Sequence, residues 1–129
     1  MKQKRILIVD DELSITQLLR LNLEKTGFYI VRTENLGAKV VEAAREFRPD
    51  LILLDVMLPD LDGGHVAAQL ESSPLLKSVP IVFLTAAVQK QELEARNGFI
   101  GGHPFIAKPL NVKTVMAAIE ANLTVEQVS

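Results

Sequence analysis

Residues 51–59 read LILLDVMLP. Four apolar residues run into Asp55, and three more follow it. Such a run reads as a strand buried on both faces. A carboxylate at its end is costly to desolvate unless it is paired or meets water. Asp55 therefore sits at the tip of the strand, where the chain meets solvent, or it has a partner. The flanking sequence points to both.

Working outward, short apolar runs alternate with stretches of helical period. The runs are RILIVDD, FYIVRT, LILLD, IVFLT and PFIAK. In the first helical stretch Ile15, Leu18, Leu19 and Leu23 form one stripe, while Gln17, Arg20 and Glu24 face away. Val40, Val41, Ala44 and Phe47 repeat the pattern. A third stretch, residues 64–72, turns Val66, Ala67 and Leu70 inward. The fourth, residues 89–97, has Leu93 as its one large apolar residue. The last, residues 112–123, aligns Val115, Met116, Ile119 and Leu123. Thr26-Gly27 closes the first helix, Pro49 and Pro80 precede strands, and Asn111 caps the last helix. Five strands alternating with five helices predict an α/β fold: a parallel sheet with helices on both faces, three layers in all. One domain is expected over residues 1–123, with a tail, residues 124–129, that frays.

The chain has 129 residues and a net charge of -2, which argues against a nucleic-acid surface. It has no cysteine, so disulfides, thiolate metal sites and cysteine nucleophiles are excluded. The N-terminal MKQKRILIVDDE is too short an apolar run for a signal peptide or a membrane span. A cytoplasmic protein with no membrane contact is expected.

Open α/β sheets collect functional residues at the carboxyl ends of their strands. Those ends read Asp10-Asp11-Glu12, Asp55, Thr85 and Lys108-Pro109. Three aspartates on one edge repel each other unless a cation sits among them. All-oxygen ligands favour Mg²⁺ or Mn²⁺. Lys108 adds a positive charge and Thr85 a hydroxyl donor. Together these groups would hold a phosphoryl group, and Asp55 could take it covalently.

The ordered set ILIVDDE, DVMLPDLDG, FLTA and FIAKP resembles the receiver domain of two-component response regulators, over essentially the whole chain. The resemblance implies a flavodoxin-like (βα)5 fold with five parallel strands in the order 2-1-3-4-5. It implies Asp55 as phosphoacceptor, attacking the phosphohistidine of a sensor histidine kinase or phosphotransfer protein. It implies Mg²⁺ held by Asp10, Asp11, Asp55 and the Met57 backbone carbonyl. Lys108 would pair with Asp55 and then with the phosphoryl oxygen. Thr85 would move onto the phosphoryl group, and Phe105, at the switch-aromatic position, would turn inward as it does. The Lys108-Pro109 bond would be cis. Output would run through the face built by the fourth helical stretch, the fifth strand and the final helix. Relatives dimerise or bind targets there when phosphorylated.

Phe105 replaces the commoner Tyr and removes a hydroxyl from any readout through that ring. Met57 and Ala87, two residues after Asp55 and Thr85, cannot position water by hydrogen bonding. A long-lived phosphoryl state is the expectation. In NGFIGGHPF, Gly98, Gly101 and Gly102 lower helix propensity beside the output face.

Plainer readings exist for each residue. Asp10 and Asp11 could cap the first helix. Asp55 and Lys108 could form a structural ion pair, which leaves Thr85 and the acidic pair unexplained. His65 and His103 show no acidic partner at metal spacing, and Asp60 and Asp62 look like turn formers beside Gly63. A phosphatase of the haloacid-dehalogenase kind would use similar groups, but with its nucleophile in a DxD motif on the first strand. A flavodoxin-like flavin binder would need a phosphate loop where DDELS places acids. The favoured reading is a signalling module that catalyses only its own phosphorylation and dephosphorylation. It is either a stand-alone regulator or the front end of a longer protein.

Overall fold

Alternation along each strand sends successive side chains to opposite faces, and that rule builds the molecule. The computed structural model describes residues 2–86, the backbone of 99–100, and 102–123. The strands are β1 (Lys4–Val9), β2 (Tyr29–Glu34), β3 (Leu51–Asp55), β4 (Ile81–Thr85), β5 (Phe99–Ile100) and β6 (His103–Ala107). The helices are α1 (Leu13–Lys25), α2 (Val40–Phe47, entered through a 3-10 turn at Gly37–Lys39), α3 (Gly63–Glu71) and a final helix, Val112–Asn122.

The sheet order is β2-β1-β3-β4-β6-β5. Every pairing but the last is parallel, so the strand order matches 2-1-3-4-5 with β6 as the fifth parallel strand. The two-residue β5 is an addition to that expectation. It runs antiparallel to β6 and pairs Ile100 with His103. Gly102, just before His103, has φ 85°, a backbone angle that favours glycine.

The central strands are buried along their length, as parallel strands covered on both faces must be. Ile6, Ile8, Leu51, Leu53, Val82 and Leu84 pack against Leu19 and Leu23 of α1 and Val115 and Ile119 of the final helix. Their neighbours Leu7, Val9, Ile52, Leu54, Ile81 and Phe83 pack against Val40 and Ala44 of α2 and Val66 and Leu70 of α3. Each fully buried Leu, Ile or Phe contributes about 1.5–3 kcal/mol.

The helix stripes hold with one correction. Leu18 is 53% exposed and Thr16 is buried instead. Residues 16, 19 and 23 cluster on the helical wheel, and position 18 falls a quarter turn or more outside them. Gly27 at φ 80° follows the α1 cap at Thr26. Asn111 caps the final helix, accepting from the backbone N–H of Lys113 at 2.8 Å. The helical stretch expected at 89–97, Ala87, Gly98, Gly101 and the tail 124–129 lie outside the described residues. No helix among the described residues is long and apolar enough to cross a membrane.

Candidate functional site

Two strand ends bring carboxylates to an ammonium that follows a third. β1 delivers Asp10, which is fully buried, and β3 delivers Asp55, which is 3% exposed. Asp11 follows on the solvent side. Oxygens of Asp10, Asp11 and Asp55 all lie within 4.8 Å of one another. Lys108, just beyond β6, reaches Asp10 Oδ2 at 2.8 Å, Asp55 Oδ2 at 3.1 Å and Glu12 Oε1 at 3.4 Å. By strand alternation Asp55 belongs to the face of Leu51 and Leu53.

The remaining oxygens are held by backbone amides. Asp55 Oδ1 accepts from Met57 N–H at 3.0 Å, and Asp10 Oδ1 from Glu12 N–H at 2.9 Å. Asp10 does not cap α1. The cap position is Glu12, which makes no side-chain cap bond. Asn35 Nδ2 donates to the Asp10 carbonyl at 2.7 Å and fixes the end of β1.

Burial pushes the Asp55 carboxyl above the ordinary aspartate value. The Met57 amide and Lys108 pull it down, but the charge of Asp10 adds to the rise. For Lys108, burial alone would lower the pKa. Pairing with the carboxylates of Asp10 and Asp55 outweighs it, and the ammonium is held above the usual lysine range. Among the described residues, Lys108 pairs with three carboxylates, Asp10, Asp55 and Glu12, and Asp11 crowds Asp10 and Asp55 from beside them. At an effective dielectric of about 20, two carboxylates about 5 Å apart repel by about 3 kcal/mol.

A divalent cation fits this surplus. Asp10 Oδ2 is buried with no well-directed hydrogen-bond donor, since the nearby ammonium meets it as an ion pair. The donor set is all oxygen, as Mg²⁺ requires.

Thr85 is buried, and its carbonyl accepts from Lys108 N–H at 2.8 Å. Alternation puts its side chain on the Phe83 face, opposite to that of Asp55. Phe105 pairs in register with Phe83 and packs against the core on that same face. The Lys108-Pro109 peptide is cis. Met57 is 70% exposed beside the site.

Several contacts were not legible in spacing. Glu12 joins Lys108 from 96 positions away. Asp60 is more than a turn former, because its carboxylate accepts from Gly37 N–H at 2.8 Å and Ala38 N–H at 2.9 Å. These amides hold its carboxyl below the usual range. Asp62 caps α3 through Gly64 N–H at 2.7 Å. His103 belongs to no metal-ligand group among the described residues, but its ring pairs with Glu71 and stands edge-on to Phe83 at 5.6 Å. Glu71 lies 32 residues away in sequence.

Residues 6–120 match the family described as the response regulator receiver domain. The chain is 40% identical over 121 residues to the alkaline phosphatase synthesis transcriptional regulatory protein PhoP of Bacillus subtilis, covering 93% of this chain and 48% of that protein. It is 35% identical to the polar-differentiation response regulator DivK of Brucella anthropi, covering 93% of this chain and 96% of that one. The chain thus spans about half of PhoP and nearly all of DivK. Among solved structures, the chemotaxis protein CheY4 of Vibrio cholerae superposes with a TM-score of 0.80 at 29% identity, covering 95% of this chain and 100% of that chain. These likenesses give the phosphatase alternative no support.

Proposed function

The chain belongs to the response regulator receiver domain family, and on that premise we propose that Asp55 is its phosphoacceptor. The observation that carries the reading is the buried Asp55 carboxylate, 3.1 Å from the Lys108 ammonium and beside Asp10 and Asp11. The donor is the phosphohistidine of a sensor histidine kinase or a histidine phosphotransfer protein. A carboxylate oxygen of Asp55 attacks phosphorus, the P–N bond breaks, and the imidazole leaves with the electron pair and takes up a proton. Burial and the fixed Met57 amide hold the carboxylate in place for that attack.

Asp10, Asp11, Asp55 and the Met57 backbone carbonyl would hold Mg²⁺, with Mn²⁺ as a substitute. When bound, the ion neutralises the carboxylates and the phosphoryl oxygens. Lys108 keeps its proton, leaves Asp55 and pairs with a phosphoryl oxygen. Thr85 turns its hydroxyl onto the same group. That opens room on the Phe83 face, into which Phe105 moves, and a minor conformation of the output face becomes the favoured one. The same groups let the domain catalyse its own phosphorylation and dephosphorylation. Met57, with no hydrogen-bonding side chain, positions no attacking water, and the phosphoryl state is long-lived. The receiver unit is residues 1–123. Its output partner, or a second copy, docks where β6 and the final helix meet the surface. Such a module works in the cytoplasm, with no direct nucleic-acid or membrane contact of its own.

Incubation with a small-molecule phosphodonor, followed by intact-mass analysis, tests the reading. A single phosphoryl adduct is expected, dependent on Mg²⁺ and absent in Asp55→Asn. An adduct that persists in Asp55→Asn moves the acceptor elsewhere. A folded protein that gains no adduct and binds no Mg²⁺ makes the acidic edge structural.

A further inference from the structure

The loop after β3 is closed at its base and pinned at its tip. At the base, Met57 bridges to Asp62, and Gly63 N–H donates to the Val56 carbonyl at 2.7 Å. At the tip, Asp60 spreads its two oxygens over consecutive amides, Gly37 at 2.8 Å and Ala38 at 2.9 Å. Gly37 is buried, and a Cβ there would lie 2.9 Å from Leu61 Cβ and 3.0 Å from a Val66 methyl. Only glycine lets the loop come this close. Two residues earlier, Asn35 donates to the Asp10 carbonyl at 2.7 Å. One short turn, residues 35–38, therefore grips the end of β1 through Asn35 and the loop after β3 through Asp60.

We propose that Asp60 is a positioning residue for the acidic site. It touches none of the reacting groups. By clasping Gly37 and Ala38 it sets the distance between the Asp10 end of β1 and the loop that presents the Met57 backbone to Asp55. The clasp is charge-assisted, and both of its donors are backbone amides, so its geometry is stiff. Opening it lets the Met57 segment shift by the fraction of an ångström that an oxygen-ligand site does not tolerate. Outer-shell contacts of this kind typically change metal affinity by about 10–100-fold. The proposal rests on the receiver reading for its link to phosphorylation, but its link to cation binding stands apart from it.

The test compares the wild type with Asp60→Ala, Asp60→Asn and Thr26→Ala. Thr26 caps α1 at the opposite edge of the sheet, with its hydroxyl donating to Leu23 at 2.7 Å and accepting from Phe28 N–H at 3.1 Å. It serves as a control for the loss of two hydrogen bonds. Calorimetry with Mg²⁺ alone should give a dissociation constant about tenfold weaker for Asp60→Ala. Asp60→Asn should be intermediate, because its oxygen still accepts one amide while its NH2 opposes the other. Thr26→Ala should bind as the wild type does. Phosphorylation of Asp60→Ala should slow at limiting Mg²⁺ and recover at saturating Mg²⁺. Affinity within twofold of the wild type in both Asp60 variants overturns the proposal, as does an equal loss in Thr26→Ala. If Asp60→Ala does not fold, Asp60→Asn decides alone. A wild type that binds Mg²⁺ but takes no phosphoryl group defeats the receiver reading and leaves the clasp to be judged on Mg²⁺ affinity.

Discussion

Asp55 shows how far a single residue can be read. Its position at the end of an apolar run already implied a boundary or a partner, and the structure supplies both. What the sequence could not supply was the balance of forces on it. Burial and Asp10 raise its pKa more than Met57 N–H and Lys108 lower it. A carboxyl raised in the folded state binds its proton more readily folded than unfolded, so above that pKa its ionisation costs stability. Asp55→Asn removes that cost and keeps an oxygen to accept from Met57. Its Tm at pH 7 in chelator should therefore exceed that of the wild type by circular dichroism. A lower Tm would mean that the pairing with Lys108 outweighs burial. Asp60 is the opposite case. Its local context, PDLDGG, suggested a turn, and its true partners are backbone amides 22 and 23 positions away. Backbone donors carry no side-chain signature, and a long-range contact to them leaves no trace in spacing.

At the scale of elements, strands were more legible than helix faces. LILLD and IVFLT are continuous apolar runs, and any register buries them. A helix stripe depends on a phase that one wrong member can shift, as Leu18 did. Close approaches between elements were not legible at all. Gly63, at the start of α3, lies against the end of β3. A Cβ there would fall 2.3 Å from the Asp55 carbonyl oxygen and 2.8 Å from Val56 Cα. Both atoms are backbone, with no rotamer to relieve the clash. Overpacking of this sort costs about 1–3 kcal/mol. Gly63→Ala should lower the urea midpoint accordingly and weaken Mg²⁺ binding, since the strain falls on the Asp55 peptide. Gly64→Ala, whose Cβ would meet only Asp62 Oδ1 at 3.2 Å, should stay close to the wild type in both measurements. If the two variants lose equally, the loss reflects glycine content and not contact with β3.

Across the whole molecule, the site is a property of the sheet edge. Asp10 follows β1, Asp55 ends β3 and Lys108 follows β6, so the site exists only when three strands are in register. Among the described residues, the carboxylates of Asp10, Asp11 and Asp55 gather within 4.8 Å of one another, and Lys108 offsets only part of their repulsion. A cation that binds the folded state alone stabilises it by mass action, by about 2.7 kcal/mol at one hundred times its dissociation constant. Because the proposed ligands come from separate strands, the gain should appear in global unfolding and not in one fraying segment. Salt also relieves repulsion by screening, with a Debye length of about 8 Å near physiological ionic strength. The decisive comparison therefore holds ionic strength fixed while Na⁺ is exchanged for Mg²⁺. The wild-type Tm should rise with Mg²⁺ under that constraint, and Asp10→Asn should lose most of the rise. Asp10 is the residue whose buried oxygen lacks a directed donor, and it stands to gain most from a bound ion. If the wild type gains no more from Mg²⁺ than from matched Na⁺, screening alone relieves the edge and the carboxylates do not form a metal centre.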